Sequence, residues 1–154
     1  MSDTAVANTL FPAKPSLIAR AGVGKLAGLV VGLVEFFVWP WYWVAVPGHV
    51  QWATLLWYIN FGAMIGLAGV IDRHPVMNIR LPWWVMGVLL GAWLNLVATL
   101  MMWDVFAEAG ASFFGEGSIW ASPWWFIAEG AVTGLVIGWL CNRFGGYGAG
   151  TAGR

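Results

Sequence analysis

The chain has 154 residues, of which 60% are hydrophobic and only 9% are charged. Soluble domains carry about a quarter charged residues, so this composition excludes a soluble globular protein and indicates one that is embedded in lipid. Seven basic residues balance seven acidic ones, which leaves no electrostatic basis for nucleic-acid binding. The single cysteine, Cys141, excludes a disulfide within the chain.

The order of polar and apolar segments along the sequence predicts one integral membrane domain, 1–154, in which four apolar helices follow a polar arm. Residues 1–23 are the arm, and we place it in the cytoplasm. Each later apolar run is long enough to cross a hydrocarbon core of about 30 Å, and Pro40 should kink the first one near its outer end. The predicted membrane helices cover about residues 26–46, 52–71, 83–103 and 123–141.

The connecting segments predict the orientation of this four-helix bundle. Lys and Arg occur in the arm, in the connector 72–82 and in the Gly-rich tail 144–154, whereas the other two connections contain none. Cytoplasmic loops carry the excess of basic residues, so both termini are predicted to be cytoplasmic. The acidic and aromatic segment 104–122 then becomes an outer interfacial loop or short surface helix. We expect a multi-pass protein of a bacterial-type cytoplasmic membrane.

Tryptophans gather at the predicted outer ends of the helices, where aromatic belts anchor membrane proteins. Such a rim is compatible with contact to bound lipid or pigment, although no cofactor is predicted. The candidate interfacial residues are Trp39, Trp41, Trp43, Trp52, Trp103, Trp124 and Trp125.

Every predicted helix also carries glycines four residues apart, a spacing that lets helices approach closely in lipid. These ladders serve either to pack the bundle or to dock a partner helix. The candidate packing residues are Gly28, Gly32, Gly62, Gly66, Gly87, Gly91, Gly130, Gly134 and Gly138.

The second and fourth helices resemble each other in sequence. The aromatic run 57–59 precedes a glycine pair in the second helix, and the run 125–127 precedes an equivalent pair in the fourth. An even number of helices per copy predicts two parallel helical-hairpin repeats. The alternative is that Gly-rich membrane helices resemble each other by chance.

Each helix places one strongly polar side chain in the same layer, about 9–12 Å below the outer boundary at about 1.5 Å per residue. A carboxylate facing lipid at that depth would cost several kcal/mol, so the two glutamates should face the interior, a partner or water. The layer consists of Glu35, Asn60, Asn95 and Glu129, and it is extended by Thr99 and Thr133.

Two interpretations of this layer stay open. In the structural one, neutral Glu35 and Glu129 donate hydrogen bonds that fix the register of the bundle, each worth about 1 kcal/mol. In the functional one, the two carboxyls bind a proton or cation on a transport path.

No catalytic or metal-binding motif accompanies the polar layer. His49 and His74 fall on opposite sides of the predicted membrane and cannot ligate one ion, and no nucleophile has a neighbouring base. We therefore expect no enzyme activity. The leading hypothesis is an accessory or scaffolding subunit of a larger membrane complex, of photosynthetic or respiratory type. The alternative is a small homo-oligomeric proton- or cation-coupled transporter or channel that uses Glu35 and Glu129.

Overall fold

A computed structural model describes residues 16–74 and 76–151, and this part of the chain is all-α. Two single turns of 3₁₀-helix, Ile119–Ala121 and Ala149–Thr151, supplement the α-helices. The five α-helices are α1 (Leu17–Tyr42), α2 (Gly48–Ala68), α3 (Trp83–Met101), α4 (Trp103–Phe114) and α5 (Trp125–Gly145).

Three of these helices, α1, α3 and α5, are long and apolar enough to cross a membrane. Their outward side chains are largely aliphatic or aromatic, which is consistent with contact to lipid. The chain is therefore a multi-pass helical membrane protein with three candidate spans among the described residues. Helix α2 is as long as α5 but is not among these candidate spans.

Helix α1 begins earlier than the sequence predicts. The Ser16 side chain caps it by accepting a hydrogen bond of 3.1 Å from the Ala19 N–H. The last part of the predicted arm therefore belongs to the helix, while residues 1–15 lie outside the described part. The helix ends at Tyr42, ahead of the predicted limit near residue 46, and Trp43 adopts an extended conformation.

Pro40 lies inside α1 without ending it. A proline lacks the N–H that would normally bond the carbonyl four residues earlier, which here belongs to Phe36. The Gln51 side chain in α2 supplies a donor instead, with its amide nitrogen 2.8 Å from the Phe36 oxygen. This hydrogen bond holds the outer end of α1 against the start of α2.

The predicted outer segment 104–122 is mostly helical. Helix α4 is amphipathic, and its small residue Ala109 packs against Trp39 and Val50. It ends at Gly115, which has a φ of 86° that favours glycine. The segment therefore folds back over the ends of the long helices.

Close contacts between glycines join the long helices in two pairs. In the α1–α2 pair, a methyl group on Gly28 would overlap the carbonyl oxygen of Tyr58. In the α3–α5 pair, a methyl group on Gly87 would lie 2.6 Å from the carbonyl oxygen of Gly134. The backbones can approach this closely only because these side chains are absent. The other predicted packing glycines also make tight contacts, except Gly138, whose contacts are ordinary; the tight ones are Gly32, Gly62, Gly66, Gly91, Gly130 and Gly134. Gly24, which is not among the predicted packing residues, is equally tight.

The end of the bundle opposite α4 is closed by Arg20, which is only 1% exposed. Its Nε donates to the Gly66 carbonyl at 2.8 Å, and its Nη1 lies 3.5 Å from the Cys141 carbonyl. These acceptors belong to the last turns of α2 and α5, where the helix dipoles favour a cation. One side chain thereby ties three helices together.

The tail after α5 packs against the connector between α2 and α3. The Gly148 N–H donates to the Gly69 carbonyl at 3.0 Å, and the Tyr147 hydroxyl donates to the Leu81 carbonyl. Burial and the nearby Asp72 carboxylate raise the pKa of the Tyr147 phenol, so it stays a donor at neutral pH. The predicted tail is thus folded up to Thr151, and residues 152–154 lie outside the described part.

Candidate functional site

Glu129, in the second turn of α5, is the centre of a buried hydrogen-bond network. The Tyr58 hydroxyl oxygen lies 2.7 and 2.6 Å from its two carboxyl oxygens. Asn95 donates to one of these oxygens at 3.0 Å, and Thr133 donates to the other at 2.9 Å. Three side chains from α2, α3 and α5 thus fix the position of one carboxyl group.

Asn95 extends this network across the bundle and is fully buried. Its amide nitrogen also donates to the Phe126 carbonyl at 3.0 Å, and its oxygen accepts from the Trp57 indole at 3.2 Å. The Thr99 hydroxyl donates to the Asn95 carbonyl at 2.7 Å. The Asn95 side-chain nitrogen and oxygen are therefore both hydrogen-bonded inside the protein, and its backbone carbonyl accepts from Thr99.

Glu35, on α1, differs from Glu129 in having no hydrogen-bond partner among the described side chains and backbone groups. It is half-buried and lies within electrostatic range of Glu129. No buried polar side-chain atom in the described ranges lacks a partner, so the Glu35 carboxyl oxygens are accessible. These oxygens face the cavity beside Glu35.

Glu35 and Glu129 line the same cavity, which has a volume of ≈ 250 Å³. It lies between α1, α4 and α5, and its surface is mainly apolar. No Lys, Arg or His of the described chain contributes to its wall. The remaining lining residues are Trp39, Tyr42, Phe106, Ala109, Gly110, Phe114, Trp125 and Phe126.

Helix α4 contributes an aromatic side chain, Phe106, to one wall of this cavity. The Phe106 ring lies 4.1 Å from the Phe126 ring and stacks on Trp39 at 6.2 Å between centroids. Phe106 and Phe126 also line a smaller apolar cavity of ≈ 160 Å³ beside Trp57. Two aromatic rings therefore separate the carboxyl cavity from its neighbour.

The predicted polar layer is brought together only in part. Asn95, Thr99, Glu129 and Thr133 belong to one network, and Glu35 reaches it through the cavity. Asn60 is exposed and donates to the Leu56 carbonyl of its own helix at 2.8 Å. It therefore lies outside the site.

Tyr58 and Trp57 are the site residues that sequence reasoning missed. Tyr58 precedes Gly62 and Gly66 at the same four-residue spacing, so it lies on the face of α2 that turns inward. This four-residue spacing is the sequence pattern from which the inward position of Tyr58 could have been predicted. Trp57 enters the sequence-based prediction only as part of the aromatic run 57–59, and nothing in the local pattern distinguishes an indole that donates to a buried amide.

The predicted interfacial tryptophans occupy three kinds of environment. Trp39 is buried and donates to the Thr54 hydroxyl at 3.1 Å, and Trp43 is half-buried. The others are exposed, some in aromatic pairs such as Trp103 with Trp124 at 5.1 Å. The exposed ones are Trp41, Trp52, Trp103, Trp124 and Trp125.

Within the described ranges, no group of three or more His, Cys, Asp or Glu side chains could hold a metal ion. His74 has a local role, since its Nδ1 accepts from the Met77 N–H at 3.1 Å in the connector turn. Comparisons with protein-family models, curated proteins and solved structures find no match for this chain. The features of this chain that bear on function are therefore the cavity and its two carboxyls.

Proposed function

We propose that this chain is a small membrane transporter or channel that moves protons or cations past Glu35 and Glu129. The observation that carries the proposal is the shared cavity, onto which carboxyls from two different helices open. An intramembrane carboxyl is costly unless it is paired or used. Since no basic side chain of the described chain lines this cavity, a proton or a mobile cation is the natural partner of these groups.

The two carboxyls have different roles in the proposed transfer. Glu129 is held by Tyr58, Asn95 and Thr133, which fix its geometry but also occupy its acceptor sites. Glu35 has no such partners and can exchange a proton or cation with the cavity. A fixed site next to an accessible one is the arrangement that stepwise transfer requires.

The membrane topology belongs to the same proposal. We infer four spans, with α2 as the fourth, because α2 packs along α1 through the glycine contacts. Both termini face the cytoplasm of a bacterial-type inner membrane, as the basic connector indicates. The α1–α2 and α3–α5 pairs support two parallel helical-hairpin repeats. Assembly as a homo-oligomer completes the proposal.

The test is ion flux in proteoliposomes that contain the purified protein. We expect proton or cation flux that Glu35→Gln and Glu129→Gln each reduce at least tenfold, because the amide cannot exchange a proton. Glu116→Gln is the matched control, since Glu116 is exposed in the loop after α4. Flux that both cavity variants retain in full would refute the proposal.

A role as an accessory or scaffolding subunit stays a second candidate. The glycine ladders give it less support than the sequence alone indicated, because these glycines contact one another inside this chain. What favours it is the outward face of α1, where Val30, Phe37 and Trp41 are more than half exposed. Extraction in mild detergent tests it, since a stoichiometric foreign subunit would support this role and a homo-oligomer would oppose it.

A further inference from the structure

We propose that the cavity between α1, α4 and α5 binds a small organic cation that has an apolar body, with its charge facing Glu35. This inference deepens the proposed function, and it rests on that function for the claim that the bound cation is cargo. The occupant is inferred from three features of the cavity: its charge, its walls and its size.

The charge of the cavity selects a cation. Glu35 has no hydrogen-bond partner in the described part of the chain, and Glu129 adds a second carboxyl to the same wall. An anionic or neutral polar ligand would leave this carboxyl charge without compensation. A monocation placed beside Glu35 compensates it directly, and such charge pairing is strong where water is scarce.

The walls select an organic cation over a metal ion. Hard metal ions require six or more oxygen ligands or retained waters, whereas the acceptor sites of Glu129 are taken up by Tyr58, Asn95 and Thr133. Glu35 alone cannot replace a hydration shell. The other side chains are mostly aromatic, and the face of an aromatic ring attracts an alkylammonium group within about 6 Å.

The arrangement of the rings separates the two parts of such a ligand. Phe106 stacks on Trp39 and makes a tilted contact with Phe126, so the three rings are contiguous on one side of the cavity. Phe114 and Trp125 line the same cavity from α4 and α5. An apolar body fits among these rings while its charged group lies at Glu35.

The volume limits the size of the ligand. Sites for drug-sized molecules usually measure about 300–1,000 Å³, and this cavity measures ≈ 250 Å³. A single ring that bears a quaternary ammonium group is therefore a suitable probe. Benzyltrimethylammonium meets this description, and neopentylbenzene is its neutral isostere, since a carbon replaces the charged nitrogen.

Isothermal titration calorimetry of the full-length protein in mild detergent tests the inference. We expect saturable binding of benzyltrimethylammonium with one site per chain and no saturable binding of neopentylbenzene. Glu35→Gln should weaken binding about tenfold or more, as loss of a charged partner implies. Phe114→Leu should weaken it several-fold through loss of an aromatic contact with the apolar body. Glu116→Gln should bind as the wild type does.

Equal binding by the wild type and Glu35→Gln would overturn the inference, and so would equal binding of the probe and its neutral isostere. Glu35→Asp, which keeps the charge and shortens the side chain, covers the case in which Glu35→Gln does not fold, and it should retain measurable affinity. Failure of this inference is distinct from failure of the proposed function. Flux that needs Glu35 without probe binding refutes only the ligand, and probe binding without flux refutes only transport.

Discussion

Gln51 satisfies a backbone carbonyl that a proline four residues further along α1 leaves without its usual donor. The hydrogen bond between the Gln51 amide and the Phe36 oxygen joins α1 and α2 where Pro40 interrupts the backbone hydrogen bonding of α1. It also explains how Pro40 is accommodated two residues before the helix ends. The role of Gln51 therefore depends on Pro40, and this dependence can be measured.

We expect Gln51→Leu to lower the free energy of unfolding by about 1 kcal/mol, the usual net value of such a hydrogen bond. In a Pro40→Ala background the same change should cost much less, because residue 40 then supplies the missing N–H. Reversible unfolding in mixed micelles, applied to both single variants and the double variant, gives the coupling. An equal cost of Gln51→Leu in both backgrounds would contradict this account.

At the residue scale, the sequence predicted which polar groups lie at one depth but not which of them meet. Glu129 and Asn95 could be assigned to one layer by counting from the tryptophans. Asn60 has the same predicted depth, yet it faces outward because it lies on the opposite side of α2 from the glycine stripe. The depth of a residue follows from its position along the helix. Whether two polar side chains meet also depends on how each helix is rotated about its axis, and counting residues from the tryptophans does not give that rotation.

Glycine contacts determine how closely the helices pack in each pair. Gly28 faces Tyr58 across the α1–α2 contact, whereas Gly22, on the same helix, has no atom within 4 Å of the place where a methyl group would lie. One helix thus contains a constrained glycine and an unconstrained one. The two positions form a matched pair for mutation.

We expect Gly28→Ala to destabilise the protein by about 1–3 kcal/mol, because the added methyl group must push two backbones apart. Gly22→Ala should leave stability unchanged or raise it slightly, since alanine favours a helix more than glycine does. Thermal unfolding in detergent compares the two variants. If both changes had the same effect on stability, helix propensity rather than close packing would account for the effect of Gly28→Ala.

At the element scale, hydropathy predicted where the long helices lie but not where they begin and end. The start of α1 depends on a capping serine and the end of α4 on a glycine with positive φ. Neither feature changes the hydropathy of the segment. Helix α4 was equally hard to separate from a loop, since its acidic and aromatic residues suit both. Local hydrogen bonding, and not apolar length, fixes these boundaries.

At the scale of the whole molecule, the proposed topology places the connector after α2 and the segment after α4 on opposite sides of the membrane. Val76 and Glu116 are exposed on these two segments, and Cys141, the natural cysteine, is buried. A thiol introduced at either exposed position can therefore be labelled against a low background. This gives a direct test of the side of the membrane on which each segment lies.

We expect a membrane-impermeant maleimide to label Glu116→Cys in intact cells and to label Val76→Cys only after the membrane is opened. The basic residues of the connector hold it on the cytoplasmic side. The wild-type chain controls for reaction at Cys141. Labelling of both positions from the same side would rule out four spans with cytoplasmic termini.

The contacts of Arg20 have a consequence for biosynthesis. The guanidinium group emerges from the ribosome with α1, but the Cys141 carbonyl that it contacts lies 121 residues further along the chain. Until α5 has been made, α1 carries a cation whose binding site is incomplete. This end of the bundle can close only after α5 has packed against α1, so a chain that is terminated before α5 leaves this cation without one of its acceptors.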